Sequence, residues 1–130
     1  GEGATKLVRI QVEGAENEAA ALTVAKSVAT SNLLKAAFFG ADPNWGRVIA
    51  AVGYSGVAVD PGRIAIRFDD VALVENGQGT GPEAKDRAHQ IMKKAEFTVT
   101  VDLHMGDGSA FYYTSDLTYD YVRINAEYHT

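Results

Sequence analysis

From Lys6 to Glu13 the apolar residues Val8, Ile10 and Val12 alternate with Arg9, Gln11 and Glu13, the two-residue period of a strand with one buried face. Gly14 closes it. Asn17 is placed to cap a helix in which Leu22, Ala25, Val28 and Ala29 fall on one side, with Glu16 and Glu18 near its positive end. Thr30-Ser31-Asn32 interrupts that period and recaps a shorter helix carrying Leu33, Leu34, Ala37 and Phe38, which Gly40 can end in a left-handed conformation. The run Asp42-Pro43-Asn44-Trp45-Gly46-Arg47 then predicts a corner. Asp42 caps a third helix, Pro43 takes the first helical position where no N–H is needed, and Val48, Ile49 and Val52 continue inward until Gly53, Ser55 and Gly56 dissolve the pattern. This corner holds the only tryptophan of the chain, so it serves either core packing or a site.

Asp60-Pro61-Gly62 is a turn signal, after which Arg63 to Phe68 and Val71 to Val74 read as two strands of a hairpin joined at Asp69-Asp70. Asn76 to Gly81 has three glycines and no apolar anchor, which predicts a flexible loop. It lacks the Lys-Ser/Thr ending of a phosphate-binding loop and the glycine spacing of a dinucleotide site. Pro82 opens a helix reaching about Ala95, with Ala84, Ala88, Ile91 and Met92 inward. Phe97, Val99, Val101 and Leu103 alternate with polar residues, Gly106-Asp107-Gly108 turns the chain, and Ser109 to Thr114 returns as the partner of an antiparallel aromatic hairpin. A short helical turn is predicted from Thr118. The order is that of an α+β fold, a mixed, hairpin-rich sheet with three to four helices packed on it, in one domain spanning residues 1–130.

Composition narrows the chemistry. The chain of 130 residues is 46% hydrophobic, enough for a sizeable core, and its net charge of −5 argues against nucleic acid, which demands a clustered basic excess. No apolar run approaches the about 18 residues of a membrane span, and no signal architecture precedes the first strand. With no cysteine there is no disulfide framework, thiolate metal site or thiol nucleophile, and the expected location is cytoplasmic. His89, His104 and His129 lack metal-ligand spacing, so no metal and no cofactor are expected. The chain opens at Gly1 without methionine and enters a strand by Leu7, which suggests a part of something longer.

No nucleophile elbow occurs; Tyr54-Ser55-Gly56 and Gly106-Asp107-Gly108-Ser109 read as turn chemistry. Asp69 and Asp70 point apart in a strand or stand solvated in a turn, and make poor general acids. The chain ends are more suggestive. Glu2 sits between two glycines, where it is either a frayed terminus or a carboxylate able to meet an ammonium group. Asn125 offers an amide and Thr130 a hydroxyl with the terminal carboxylate, in what is otherwise a polar tail.

Three ordered stretches carry a resemblance. Gly1-Glu2-Gly3-Ala4-Thr5-Lys6, then Phe39-Gly40-Ala41-Asp42-Pro43-Asn44-Trp45-Gly46-Arg47, then the tail from Asp116-Leu117-Thr118-Tyr119-Asp120-Tyr121 through Asn125 to Thr130 resemble the carboxy-terminal part of the ornithine acetyltransferases, the bifunctional glutamate N-acetyltransferases of arginine biosynthesis. The resemblance implies the C-terminal segment of the β chain of a larger, self-cleaving acetyltransferase. In such enzymes an exposed amino-terminal threonine takes the acetyl group of N-acetylornithine and passes it to glutamate. It implies substrate-binding roles for Glu2, Asn125 and Thr130, with Glu2 meeting the substrate's ammonium groups. The implied partners are an upstream α chain and the remainder of the β chain in a hetero-oligomer, together with the amino-acid substrates.

The cleavage motif, the nucleophilic threonine and the oxyanion-hole residues belong to upstream segments, so no catalytic residue is expected here. Ala4-Thr5 lies inside the Gly-Glu-Gly motif and is not that junction. Two rivals share these motifs: a non-catalytic binding or assembly module on the same scaffold, and a paralogue acting on another acyl donor.

Overall fold

In the computed structural model, which describes residues 6–116, the chain forms six strands and four helices. The first strand, β1 (Leu7–Ala15), is followed by helices α1 (Glu18–Ala29), α2 (Asn32–Phe39) and α3 (Trp45–Tyr54). A single 3-10 turn at Pro61–Arg63 leads into strands β2 (Ala65–Phe68), β3 (Val71–Glu75) and β4 (Gln78–Gly79). Helix α4 (Pro82–Met92) and strands β5 (Glu96–Asp102) and β6 (Gly108–Ser115) complete the set. The strands form one mixed sheet in the order β4-β3-β2-β5-β1-β6, so the α+β expectation holds. No helix among the described residues is long and apolar enough to cross a membrane.

The caps explain where α1 and α2 begin. Asn17 Oδ1 accepts the Ala20 N–H at 2.8 Å, and Ser31 Oγ accepts the Leu34 N–H at 3.2 Å, each satisfying a donor that the first helical turn leaves unpaired. Helix α1 buries Ala21, Val24, Ala25, Val28 and Ala29. Leu22 and Leu33, read from the sequence as inward, are instead exposed. The inward stripe of α1 is built of small residues, which lets the helix lie close to the sheet.

One face of the sheet supplies the core. Val8, Ile10 and Val12 of β1 and Val99 and Val101 of β5 are fully buried with Ile66 and Phe68 of β2. They share one cluster with Val24 and Val28 of α1, Phe38 of α2, Val48 and Val52 of α3, and Ala88 and Met92 of α4. The other face is polar and aromatic: Arg9 pairs across the ladder with Thr98 and Tyr113, and Gln11 with Thr100 and Phe111. There the Arg9 guanidinium donates to Gln11 Oε1 and lies 4.1 Å from the centroid of the Phe111 ring.

The pairing of the last two strands departs from the sequence reading. β5 and β6 do not form a hairpin; β1 lies between them, parallel to β5 and antiparallel to β6. The Gly106-Asp107-Gly108 segment reverses the chain as expected but carries it across the end of β1, so that β6 pairs on the far side of β1 and not with β5. Leu103 and Met105 donate their N–H groups to Glu13 and Gly14 carbonyls on the way, and a side chain at Gly108 would run into the Asn17 backbone. These glycines permit a close crossing.

The β2–β3 hairpin is as expected. The glycine-rich stretch after it forms a second hairpin in place of a loop. Asn76 and Gly77, both at positive φ (49° and 74°), make the two-residue turn that pairs Glu75 with Gln78.

Candidate functional site

The corner after α2 is built differently from its sequence reading. Gly40 has an ordinary φ of −85°, and the left-handed residue is Ala41 at 51°. The Ala41 N–H bonds to Phe38 O at 3.1 Å and the Asp42 N–H to Ala37 O at 2.9 Å, the paired bonds of a Schellman ending. The Asp42 backbone is tied to α2, and its carboxylate accepts from Asn44 Nδ2 at 3.3 Å and not from an α3 N–H, since α3 begins only at Trp45. The cap of α3 is Asn44, whose Oδ1 accepts the Arg47 N–H at 3.1 Å, and Pro43 stands one residue outside the helix. Asn44→Ala is expected to cost about 1 kcal/mol of stability, measured by urea unfolding, whereas Asp42→Ala should cost clearly less.

Trp45 is a packing anchor. Its ring lies against Gly79, where an added Cβ would stand 2.9 Å from the indole. Arg47 donates to Leu33 O at 2.8 Å and so ties α3 to the start of α2. His89 Nδ1 lies 2.6 Å from Ala41 O and fastens α4 to the same corner.

The residues with implied substrate roles, Glu2, Asn125 and Thr130, lie outside the described residues, as do Thr5 and the helical turn expected from Thr118. What the described residues do show is where the two flanking segments join the sheet. The β1–β6 ladder begins with Leu7 opposite Ser115. Immediately beyond it the Lys6 N–H donates to Asp116 Oδ1 at 2.8 Å, although the two residues are 110 positions apart in sequence. Asp116 is only 7% exposed.

The Lys6 ammonium turns the other way and donates to Phe38 O at 2.6 Å, in the last turn of α2, where a cation also meets the negative end of the helix. Burial draws the Lys6 pKa below its ordinary value, and the Asp116 carboxylate opposes that shift.

Three stretches that look unrelated along the sequence thus meet at one end of the sheet. Lys6 is the last residue of the first motif and Asp116 the first of the third. Phe38 immediately precedes the second. Sequence reading singled out neither Lys6 nor Asp116. The only trace was that each stands at the edge of a motif beside an alternating strand.

Two clefts flank this junction. One, of about 500 Å³, opens on the polar face between Leu7, Arg9, Asp69, Glu96, Thr98 and Tyr113. The other, of about 400 Å³, is lined by Leu7, Thr30, Lys35, Tyr112, Thr114 and Ser115. Asp69 at the first is held firmly, accepting from Thr98 N at 2.8 Å and from Lys94 Nζ at 2.6 Å. It is structural and not a free acid. Among the described residues no group of three or more His, Asp or Glu side chains is arranged to hold a metal ion.

Comparison with known proteins agrees in sequence and in fold. The ArgJ family matches residues 1–130. The chain is 62% identical over 130 residues to the arginine biosynthesis bifunctional protein ArgJ of Syntrophotalea carbinolica, covering 100% of this chain and 33% of that protein. It is 48% identical over 132 residues to the glutamate N-acetyltransferase of Methanopyrus kandleri, covering 34% of it. The chain thus spans about a third of the length of these curated relatives. The crystal structure of the arginine biosynthesis bifunctional protein argJ from Bacillus halodurans superposes with a TM-score of 0.88 at 44% identity, over 98% of this chain and 60% of that one. With its whole length matched and its fold shared at that identity, the chain belongs to the ArgJ family.

Proposed function

We propose that this chain is the C-terminal part of the β chain of a self-cleaving cytoplasmic acetyltransferase, folding as one domain and supplying one wall of its amino-acid pocket. The enzyme moves an acetyl group from N-acetylornithine to glutamate. The observation that carries the reading is the match of residues 1–130 to the ArgJ family, to which the structure adds one geometric point, the Lys6–Asp116 junction. Glu2 lies four residues before one side of it, and Asn125 and Thr130 follow the other, so residues from opposite ends of the chain start from adjacent points.

The chemistry divides between this chain and the upstream polypeptide. An upstream amino-terminal threonine attacks the acetyl carbonyl through its hydroxyl, its own α-amine taking the proton, and ornithine leaves as the free amine. The glutamate amine then attacks the acetyl ester and restores the threonine. The two half-reactions balance without a cofactor, because the acetyl group passes directly from amide to ester to amide. Glu2 meets the substrate ammonium groups, the Asn125 amide donates and accepts, and Thr130 contributes its hydroxyl and carboxylate. The partners are the α chain and the remainder of the β chain.

Two measurements test this. The 130-residue chain alone should show no transfer from N-acetylornithine to glutamate; turnover without upstream polypeptide refutes the division of labour. In the full-length enzyme Glu2→Gln should raise the KM for N-acetylornithine about 10-fold, the size of one lost charge-assisted hydrogen bond, with folding intact. An unchanged KM removes Glu2 from the pocket.

A further inference from the structure

We propose that the free edge of β6 is a docking strand: an extended segment of the upstream polypeptide pairs with it as a seventh strand of the sheet and lays alternate side chains into the clefts on either side. The inference rests on the reading above that this chain is one part of a longer acetyltransferase.

The two edges of the sheet are built in opposite ways. At one end β4 is only two residues long, too short to template another strand. At the other, β6 runs for eight residues with no proline and no charged side chain, and among the described residues no strand pairs with its outer side. Alternate N–H and C=O groups therefore point away from β1 along its length. Five of the eight large apolar side chains exposed among the described residues border this edge, namely Leu7, Leu22, Phe111, Tyr112 and Tyr113. Tyrosine and phenylalanine gathered beside Arg9 make the composition of an interface core.

The clefts lie where a seventh strand needs them. The cleft of about 400 Å³ is on the helix side against Tyr112 and Thr114, and that of about 500 Å³ is on the polar face against Tyr113. A third hollow, of about 450 Å³, wraps the edge itself from Gln11 and Phe111 to Leu22 of α1. Side chains of an added strand alternate between the two faces, so backbone bonds to β6 supply affinity and these hollows supply selectivity.

A segment of the same polypeptide fits this edge better than a second copy does. Pairing of β6 with its own copy about Tyr112, near the middle of the strand, would bring two Lys26 ammonium groups together, since Lys26 Nζ stands 5.9 Å from the centroid of the Tyr112 ring. About two-thirds of each curated relative lies outside the part matched here. A segment joined to this one while the polypeptide folds acts at a roughly millimolar effective concentration, which a separate molecule does not reach. Lys26 and Lys35 flank the helix side of the edge, so the added strand carries an acidic side chain there.

Benzoylphenylalanine placed at Tyr112 of the full-length polypeptide should cross-link on illumination to an upstream peptide, identified by mass spectrometry. In the wild-type protein, hydrogen exchange should find neighbouring amides from Ala110 to Thr114 protected to within about 10-fold of one another, where an open edge leaves every second amide exchanging freely. Both results are required. Cross-links only to another copy or only to this chain's own residues, no cross-link, or alternating exchange would each overturn the inference. If the labelled variant does not fold, the label goes to Tyr113 on the opposite face, with the same outcomes. A polypeptide that transfers acetyl but fails these tests leaves the acetyltransferase reading standing without this inference. One that passes them and transfers nothing removes that activity and keeps the docking strand.

Discussion

Replacing Phe38 by alanine is expected to lower the unfolding free energy by about 3–5 kcal/mol, the range for emptying a buried aromatic site. The Phe38 side chain is fully buried. Its ring meets Phe97 edge-on, with centroids 5.6 Å apart and planes at 84°, and Phe97 in turn stacks on Phe68 at 6.1 Å. This row runs from α2 through β5 to β2, so the cavity would open where helix and sheet join. Since a typical domain has only about 5–15 kcal/mol in total, a large part of the folded state's margin would go. Urea unfolding measures it, and Phe38→Leu should lose clearly less because most of the volume remains. A cost below about 1 kcal/mol for Phe38→Ala would mean that the helix does not seat on the sheet as described.

Gly14→Ala should be comparably damaging for a different reason, at about 2–5 kcal/mol. Gly14 has φ of 67°, a conformation that costs an L-residue about 1–2 kcal/mol. A methyl group there would also collide with Asp102 Oδ1 and stand 2.7 Å from the His104 backbone N. The Asp102 carboxylate cannot simply swing away, because its Oδ1 accepts the His104 N–H at 2.9 Å. Forcing them apart adds an overpacking penalty of about 1–3 kcal/mol. Thermal unfolding with the loss concentrated at the β1–β5 end, seen as faster amide exchange at Leu103 and Met105, is the expected signature. A variant as stable as wild type would show that the crossing is not held at Gly14.

How much of this was legible in the sequence depends on the range of the interaction that decides it. The alternation of Val8, Ile10 and Val12 identifies β1 and its buried face because side-chain direction is local. Asn17 and Ser31 identify their helices because a cap bonds within three residues. Period two says which face is buried and nothing about which strand lies alongside. The parallel β1–β5 pairing was therefore hidden, and Gly106-Asp107-Gly108 read as a tight turn when it is a crossing. Asp42 is a good cap by type, but the chain turns helical only at Trp45, which puts Asn44 at the capping position.

The candidate site divides along the same line. Glu2, Asn125 and Thr130 took their implied substrate roles from the resemblance of whole motifs, since residue type alone left each of them open between a binding role and a chain end without one. Lys6 and Asp116 were invisible for the opposite reason. Each is an ordinary charged residue beside a strand, and their meaning appears only when the fold brings positions 110 apart in sequence to 2.8 Å.

The place of β1 between two late strands sets the order in which the molecule can be assembled. Its neighbours on both sides, β5 and β6, are made of residues 96–115. A ribosome adding about 5–20 residues per second releases β1 roughly 5–20 seconds before either neighbour exists. Throughout that interval Val8, Ile10 and Val12 form an apolar strand with two open edges, covered by nothing more lasting than α1. Closing so large a loop is also entropically unfavourable until both partners arrive. Folding of this segment is thus a late insertion of its earliest strand, and chaperone dependence should concentrate on nascent polypeptides that end before Ser115.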